Sequence, residues 1–233
     1  MNKNSISNHL LELRSRLLKV IFLFTILSII GIPFAAEIYT FISAPLIELL
    51  PDGSTMIATE VASPFMAPIK LVLYVALLFS MPWLFYQIWI FIAPGLYKSE
   101  KAFTGPLMIS TIILFFSGAA FAFFVVCPII FKFFIAMAPE TILVMTDINQ
   151  YLSFVFKIVF AFGIAFEIPI ATILLIKSEV ASKESLVNAR PYLFVIFLIV
   201  GMLLTPPDIF SQLFLAIPMY ILFEVGIFFA GNK

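Results

Sequence analysis

Six continuous apolar runs dominate this chain and restrict what it can fold into. They lie at about 17–36, 65–92, 106–135, 152–176, 191–205 and 209–230. A helix that crosses a bilayer needs about 20 mostly apolar residues, whereas a membrane barrel needs short segments that alternate with period two. Because these runs do not alternate, the sequence predicts an all-α polytopic membrane protein. We expect six transmembrane helices in a single membrane-embedded domain, residues 1–233.

The composition excludes a soluble fold. The chain is 63% hydrophobic and 11% charged, whereas soluble domains are about 45–50% apolar and about 25% charged. A water-soluble core cannot cover so much apolar surface, and the lipid bilayer is therefore the expected solvent. The formal net charge is zero, which gives no indication of nucleic-acid binding.

Outside the interiors of the predicted helices, lysine and arginine fall on only one side of the predicted topology. With six spans, both termini and every second loop share a side, and the ten basic residues there are Lys3, Arg14, Arg16, Lys19, Lys98, Lys101, Lys177, Lys183, Arg190 and Lys233. The segments on the other side, 37–64, 136–150 and 206–208, contain none. Because basic loops stay in the cytoplasm, both termini are predicted to be cytoplasmic.

The outer loop 37–64 and the last two helices depart from a simple bundle. The loop is rich in proline and small residues, which predict short helices and turns that form a cap. The fifth run holds about 15 residues, or about 22 Å of helix, against a hydrocarbon core of about 30 Å. A re-entrant hairpin is the alternative for the last two runs, but an even number of spans agrees better with the charges.

Glu167 places a carboxylate in the middle of the fourth apolar run, in FGIAFEIPIATILLI (162–176). Lys157 cannot neutralise it within one helix, because ten residues correspond to about 15 Å of rise and about 80° of rotation. A protonated or hydrogen-bonded packing residue is one interpretation, and a glutamate that lines a polar concavity is the other. Pro169 removes a backbone donor and predicts a kink nearby.

Two carboxylates lie among the basic residues of the cytoplasmic side. Glu12 has Arg16 at i+4, so an ordinary ion pair on a helix surface is one interpretation. Glu100 has no basic residue at i−4 or i+4, and a solvated loop acid is the alternative there. Two carboxylates on a basic face suit a ligand with guanidinium groups, because arginine binds a carboxylate through two parallel hydrogen bonds.

The sequence lacks the residue patterns that would indicate an enzyme or a metal site. It contains no phosphate-binding G-x-x-x-x-G-K-[ST] loop and no H-E-x-x-H motif. The single cysteine, Cys127, and the single histidine cannot form a metal-ligand cluster of their own. We therefore expect neither an enzyme nor a metal site, and no cofactor.

Seven stretches follow one another in an informative order: HLLELRSRLL (9–18), LPDGSTMIATEVASPF (50–65), QIWIFIAPGLYKSEK (87–101), YLSFVFK (151–157), AFGIAFEIPI (161–170), RPYLFV (190–195) and GMLLTPPDIFSQLFLAIPMYILFE (201–224). Together they resemble the TatC family of the bacterial twin-arginine protein translocase, over essentially the whole chain. The resemblance implies six helices curved like a cupped hand, with short fifth and sixth helices and both termini cytoplasmic. It also implies a receptor and core scaffold subunit in the inner membrane, which binds twin-arginine signal peptides and helps to move folded proteins by means of the proton gradient.

The resemblance implies a signal-peptide site and an intramembrane polar site. Glu12 and Glu100 match the glutamates of the family's two cytoplasmic motifs, and Arg14 lies in the motif of Glu12. Glu167 matches the family's intramembrane glutamate.

The resemblance also implies partner subunits. Met202, Thr205 and Gln212 match polar positions where single-span TatA-type and TatB-type subunits dock, and Asp208 matches the acid of the turn between the last two helices. A homo-oligomer within the complex is expected.

A secondary transporter of a small solute or ion is the alternative function. Such transporters are typically built from internal repeats with broken helices near the midplane. Pro33, Pro82, Pro169 and Pro218 interrupt helices here, but no repeat relates them.

Overall fold

The computed structural model describes residues 3–50, 54–92, 101–139, 145–205 and 208–230. The α-helices within them are α1 (Lys3–Gly31), α2 (Ala35–Ile47), α3 (Ser63–Ile92), α4 (Lys101–Phe121), α5 (Cys127–Met137), α6 (Ile148–Ala165), α7 (Ile168–Lys177), α8 (Lys183–Asn188), α9 (Arg190–Leu204) and α10 (Ile209–Phe229). A 3-10 turn, Ile32–Phe34, joins α1 to α2, and a π-helical turn, Ala122–Val126, joins α4 to α5. Strand-like pairing in the described residues is limited to one isolated bridge between Ile57 and Asp147. The predicted all-α fold class is confirmed.

The helical segments have the lengths that a membrane protein needs. Those long and apolar enough to cross a bilayer are Leu11–Ile47, Ser63–Phe91, Gly105–Met137, Ile148–Lys177 and Ile209–Phe229. The remaining apolar helix, α9, has 15 residues, or about 22 Å, and is short as predicted. The sixth predicted span, 209–230, corresponds to α10, which at 21 residues is the shortest of the segments long enough to cross a bilayer. The cup-like curvature and the cytoplasmic termini stay predictions.

The first helical segment runs further than the predicted span 17–36. It continues through the 3-10 turn into α2, so the first part of the predicted outer loop 37–64 is helical up to Ile47. Pro33 does not end the segment, because it lies in the first turn of the 3-10 helix, where a missing N–H breaks no hydrogen bond.

The chain divides into two compact units, which are described separately. The first unit comprises Met1–Ser43 and Ala62–Ile112, and in it α1 packs against α3. The second unit comprises Ala44–Val61 and Ile113–Lys233, and in it α10 packs against α7 and α9. A buried cluster of the second unit consists of Ala165, Phe197, Ala216, Met219, Phe223 and Ile227. The single domain over 1–233 stays a prediction.

Gly118 allows α4 to lie against the end of α6. A Cβ atom at this position would stand 2.5 Å from the carbonyl oxygen of Phe162 and 2.7 Å from Cγ of the Phe166 ring. Small residues permit such close approaches between membrane helices. Gly118 therefore helps to position the chain immediately before Glu167.

Asp147 connects the outer loop to the start of α6. Its Oδ1 accepts hydrogen bonds from the backbone N–H groups of Asn149 and Gln150 at 2.9 and 3.0 Å, which caps the helix. Its Oδ2 accepts from the hydroxyl and the N–H of Thr59 at 2.7 and 3.1 Å. The Thr59 hydroxyl, followed by the backbone donors, lowers the pKa of Asp147.

Acid should therefore weaken this connection. The charged form of Asp147 stabilises the fold above the ordinary aspartate pKa of about 3.9, and the stabilisation is lost as the pH falls through the lowered pKa of the folded state. Asp147→Asn keeps a capping side chain without the charge, and we expect a flatter acid limb when thermal stability is measured against pH. Asp147→Ala also removes the cap and should cost about 0.5–2 kcal/mol at neutral pH. An equally steep acid limb in Asp147→Asn would contradict this role.

Candidate functional site

Glu12 lies near the start of α1, where it is bound by a neighbouring guanidinium. Arg16, one helical turn later, donates from Nε and Nη2 to Oε1 of Glu12 at 3.2 and 2.5 Å. The Glu12 side chain is 43% exposed and the Arg16 side chain 17% exposed. The ion pair that the i+4 spacing allowed is therefore present. Because one partner is well exposed, such a pair contributes about 0–1 kcal/mol to stability.

Arg16 also reaches a second helix of the same unit. Its Nη1 donates to Oε1 of Gln87 in α3 at 3.2 Å. Gln87 is buried, with 5% of its surface exposed, in a helix that is otherwise strongly apolar. Burying an amide costs free energy unless it is hydrogen-bonded, and Arg16 supplies one such bond.

Of the other two residues predicted for signal-peptide binding, the structure describes Arg14 but not Glu100. Arg14 is exposed on α1, two residues from Glu12. Glu100 lies outside the described residues, so its approach to Glu12 stays a prediction.

Glu167 lies at a break in the predicted fourth span, 152–176. The helix ends at Ala165, and α7 begins at Ile168 with Pro169 in its first turn. Proline has no N–H to donate to the carbonyl of Ala165. At the predicted kink, α6 and α7 are joined by a turn at Phe166 and Glu167 whose backbone stays right-handed. Glu167 is half-buried, and its Oε1 is buried. The N–H groups of Phe166 and Glu167 donate to the carbonyls of Phe162 and Ile164 at 2.9 and 3.0 Å, so these backbone donors of the turn are satisfied.

The predicted docking positions lie where α9 and α10 approach each other closely. A Cβ atom on Gly201 would stand 3.2 Å from the carbonyl oxygen and 3.3 Å from Cα of Gln212. Met202 is 47% exposed, and Gln212 is half-buried. Thr205 is buried, and its hydroxyl donates to the carbonyl of Gly201 at 3.0 Å. The hydroxyl proton of Thr205 is thus used within its own helix.

Asp208 and an ion pair hold the two ends of this helix pair. Oδ1 of Asp208 accepts from the N–H of Ser211 at 2.7 Å, so the predicted turn acid is the N-cap of α10. At the far end, Nη2 of Arg190 in α9 donates to Oε2 of Glu224 in α10 at 2.6 Å. Both side chains are about one third exposed, at 39% and 33%.

The sequence analysis missed Gln87 as a site residue and the pairing of Arg190 with Glu224. A signal for Gln87 existed, because a polar side chain inside a transmembrane helix is by default a functional candidate. In the described part of the chain, no group of three or more His, Cys, Asp or Glu residues could hold a metal ion.

Comparisons with known proteins agree with these features. The family model described as Sec-independent protein translocase protein (TatC) matches residues 8–218. The Sec-independent protein translocase protein TatC of Azotobacter chroococcum mcd 1 is 54% identical over 224 residues, which are 96% of this chain and 88% of the relative. The protein of that name from Escherichia coli (strain K12) is 53% identical over 222 residues, 95% of this chain and 86% of the relative. A crystal structure of the twin arginine translocase receptor TatC is 37% identical, with a TM-score of 0.85 over 95% of this chain and 97% of that chain.

Proposed function

The chain belongs to the TatC family of Sec-independent protein translocase proteins, and from this membership we propose that it is the subunit that receives twin-arginine signal peptides. It would act in the bacterial inner membrane, with both termini cytoplasmic, as the core scaffold of a complex that moves folded proteins. Family membership does not favour the alternative of a small-solute transporter.

The geometry of Glu12 carries the proposal. Its carboxylate already holds the fork of one guanidinium, at an exposed position near the end of a transmembrane helix. The same carboxylate geometry suits an arginine of an incoming peptide. A lysine ammonium is a point charge and cannot make the paired contact.

Two arginine contacts would give a measurable preference. Hydrogen bonds to charged groups contribute about 1.5–3 kcal/mol each, and exposure to water reduces this strongly. Even a remainder of about 1.4 kcal/mol is a factor of ten in affinity. We therefore expect a peptide with adjacent arginines to bind about tenfold more tightly than its Lys-Lys counterpart, or more tightly still.

The test compares labelled peptides of both kinds on the purified protein. Glu12→Gln and Glu100→Gln keep size and polarity, and each should reduce both the arginine preference and the salt dependence of binding. Glu184→Gln is the matched control, because Glu184 is an exposed acid in the first turn of α8. Binding to either site variant that is as tight and as salt-sensitive as in the parent would exclude that glutamate as an arginine partner.

We further propose that Glu167 lines a wet concavity in the bilayer, through which cargo passage is coupled to the proton gradient. The position of Glu167 at the turn between α6 and α7 supports the proposal, because a carboxylate at membrane depth favours water or a polar partner over lipid.

The helix pair α9–α10 is the proposed docking edge for single-span TatA-type and TatB-type subunits. The short α9 is poorly matched to lipid alone. The Gln212 side-chain amide can hydrogen-bond a partner helix, whereas the Thr205 hydroxyl proton is already donated within its own helix. Hydrogen bonds between membrane helices contribute about 0.6 kcal/mol on average and up to about 2.

Gln212→Leu should therefore reduce copurification of a single-span partner severalfold and leave peptide binding unchanged. Asn188→Leu also replaces an amide side chain by leucine, at an exposed position at the end of α8, and serves as the control. Partner recovery that is equal in the two variants would count against docking at Gln212.

A further inference from the structure

Arg16 stands between two acceptors, and only one of them belongs to the proposed ligand site. Its Nε and Nη2 donate to Glu12, which lies in the same helix, and its Nη1 donates to Gln87, which lies in α3. We propose that Arg16 is an internal competitor for the carboxylate of Glu12, and that Gln87 retains Arg16 when an arginine of the ligand displaces it. This inference rests on the proposed function, because it assigns a regulation to the same site.

The competition follows from the identity of the two cations. The resident group and the incoming group are both guanidinium ions, and both contacts found on Glu12 use the same oxygen, Oε1. A ligand arginine must displace Arg16 or share the carboxylate with it. Binding is then weaker than the intrinsic affinity, in proportion to the fraction of receptor in which Glu12 is available. Single or weakly bound cations therefore do not displace Arg16 from Glu12. Arg16 binds Glu12 again when a ligand dissociates.

Gln87 suits the role of the retaining group. It is neutral, so it holds the guanidinium less tightly than a carboxylate does. It is buried in α3, so its position does not depend on the ligand. When Arg16 leaves Glu12, the bond from Nη1 to Gln87 can persist and keep the positive charge satisfied. Gln87 is thus a positioning residue that acts through Arg16.

The first test removes the competitor. The probe is a fluorescent synthetic peptide with two adjacent arginines and an apolar segment, measured by anisotropy on the full chain in nanodiscs. Arg16→Gln should bind it about two- to fivefold more tightly than the parent, as expected for loss of an exposed ion pair. Lys19→Gln is the control, because it removes one positive charge from the same helix at an exposed residue that makes no ion pair with the described residues. At high salt, where charge effects are screened, the gain in peptide affinity should persist in Arg16→Gln only.

The second test asks whether Gln87 acts through Arg16. Gln87→Leu leaves Arg16 with Glu12 alone, so binding of the same peptide should weaken about two- to threefold, the order of one hydrogen bond at a wet site. In an Arg16→Gln background, the same change should have no effect. A purely structural role of Gln87 would weaken binding equally in both backgrounds and would overturn its assignment.

The outcomes separate the two proposals. If the parent prefers the arginine peptide but Arg16→Gln gains no more affinity than Lys19→Gln at high salt, the competitor role of Arg16 is wrong and the proposed function stands. If neither the parent nor Arg16→Gln prefers the arginine peptide over its Lys-Lys counterpart, both proposals fall.

Discussion

Replacing Glu167 with leucine should leave the protein inserted and folded but reduce cargo transport by about tenfold or more. A charge near the bilayer midplane costs about 2.5–3.5 kcal/mol on insertion scales. The half-buried carboxylate of Glu167 is therefore unfavourable for membrane insertion. At the turn between α6 and α7 it can bind water or a polar group, which leucine cannot. Even half of that free energy, if added to the barrier for passage, slows the rate by about tenfold.

Transport of a folded reporter across inverted membrane vesicles measures this effect, with the amount of inserted protein as the reference. Glu167→Gln keeps a polar group without a titratable proton and should retain part of the rate if hydration alone is needed. Transport by Glu167→Leu at the parental rate would remove the functional interpretation, and the packing role would stand.

Gly118→Ala should be the most destabilising single-methyl change on the α4–α6 contact. The new Cβ would lie 2.5 Å from a backbone oxygen, which cannot rotate away as the end of a side chain can. Overpacking of this kind costs about 1–3 kcal/mol, partly offset by the better helix propensity of alanine, about 1 kcal/mol.

Gly105→Ala is the matched control, because nothing lies within 4 Å of a Cβ at that position of the same helix. It carries the same propensity gain without a clash, so the difference in thermal stability between the two variants isolates the contact. Equal midpoints for the two variants would mean that α4 and α6 do not approach each other as closely as described.

Much of the fold could be predicted because the bilayer imposes a length on every apolar run. The pairing of Arg190 with Glu224 was also accessible, since the two residues lie seventeen positions on either side of Pro207, in the short connection 206–208 that the sequence predicts between the last two helices. Equal distances from such a turn place residues side by side. The turn inside the fourth span was less accessible, because Pro169 predicts a bend but not how many residues leave the helix there.

The contacts of Glu12 show where sequence reasoning stops. The bond to Arg16 follows from the i+4 spacing, but Gln87 lies 71 residues further along the chain than Arg16. No periodicity connects α1 to a particular turn of α3. The same limit applies to Asp147 and Thr59, which are 88 residues apart and meet only because the outer loop folds back to α6.

The shortness of α9 also bears on how the chain is inserted during synthesis. At 15 residues it is a weak stop for the insertion machinery, and it begins with Arg190, whose acidic partner is translated 34 residues later. Until Glu224 leaves the ribosome, Arg190 has no acidic partner and α9 has no α10 to pack against. Burial of α9 in the membrane is therefore unfavourable. The two helices should therefore enter the membrane together as a hairpin, and a chain truncated after Asp208 and released from the ribosome should be anchored by the four preceding spans, with α9 accessible to protease.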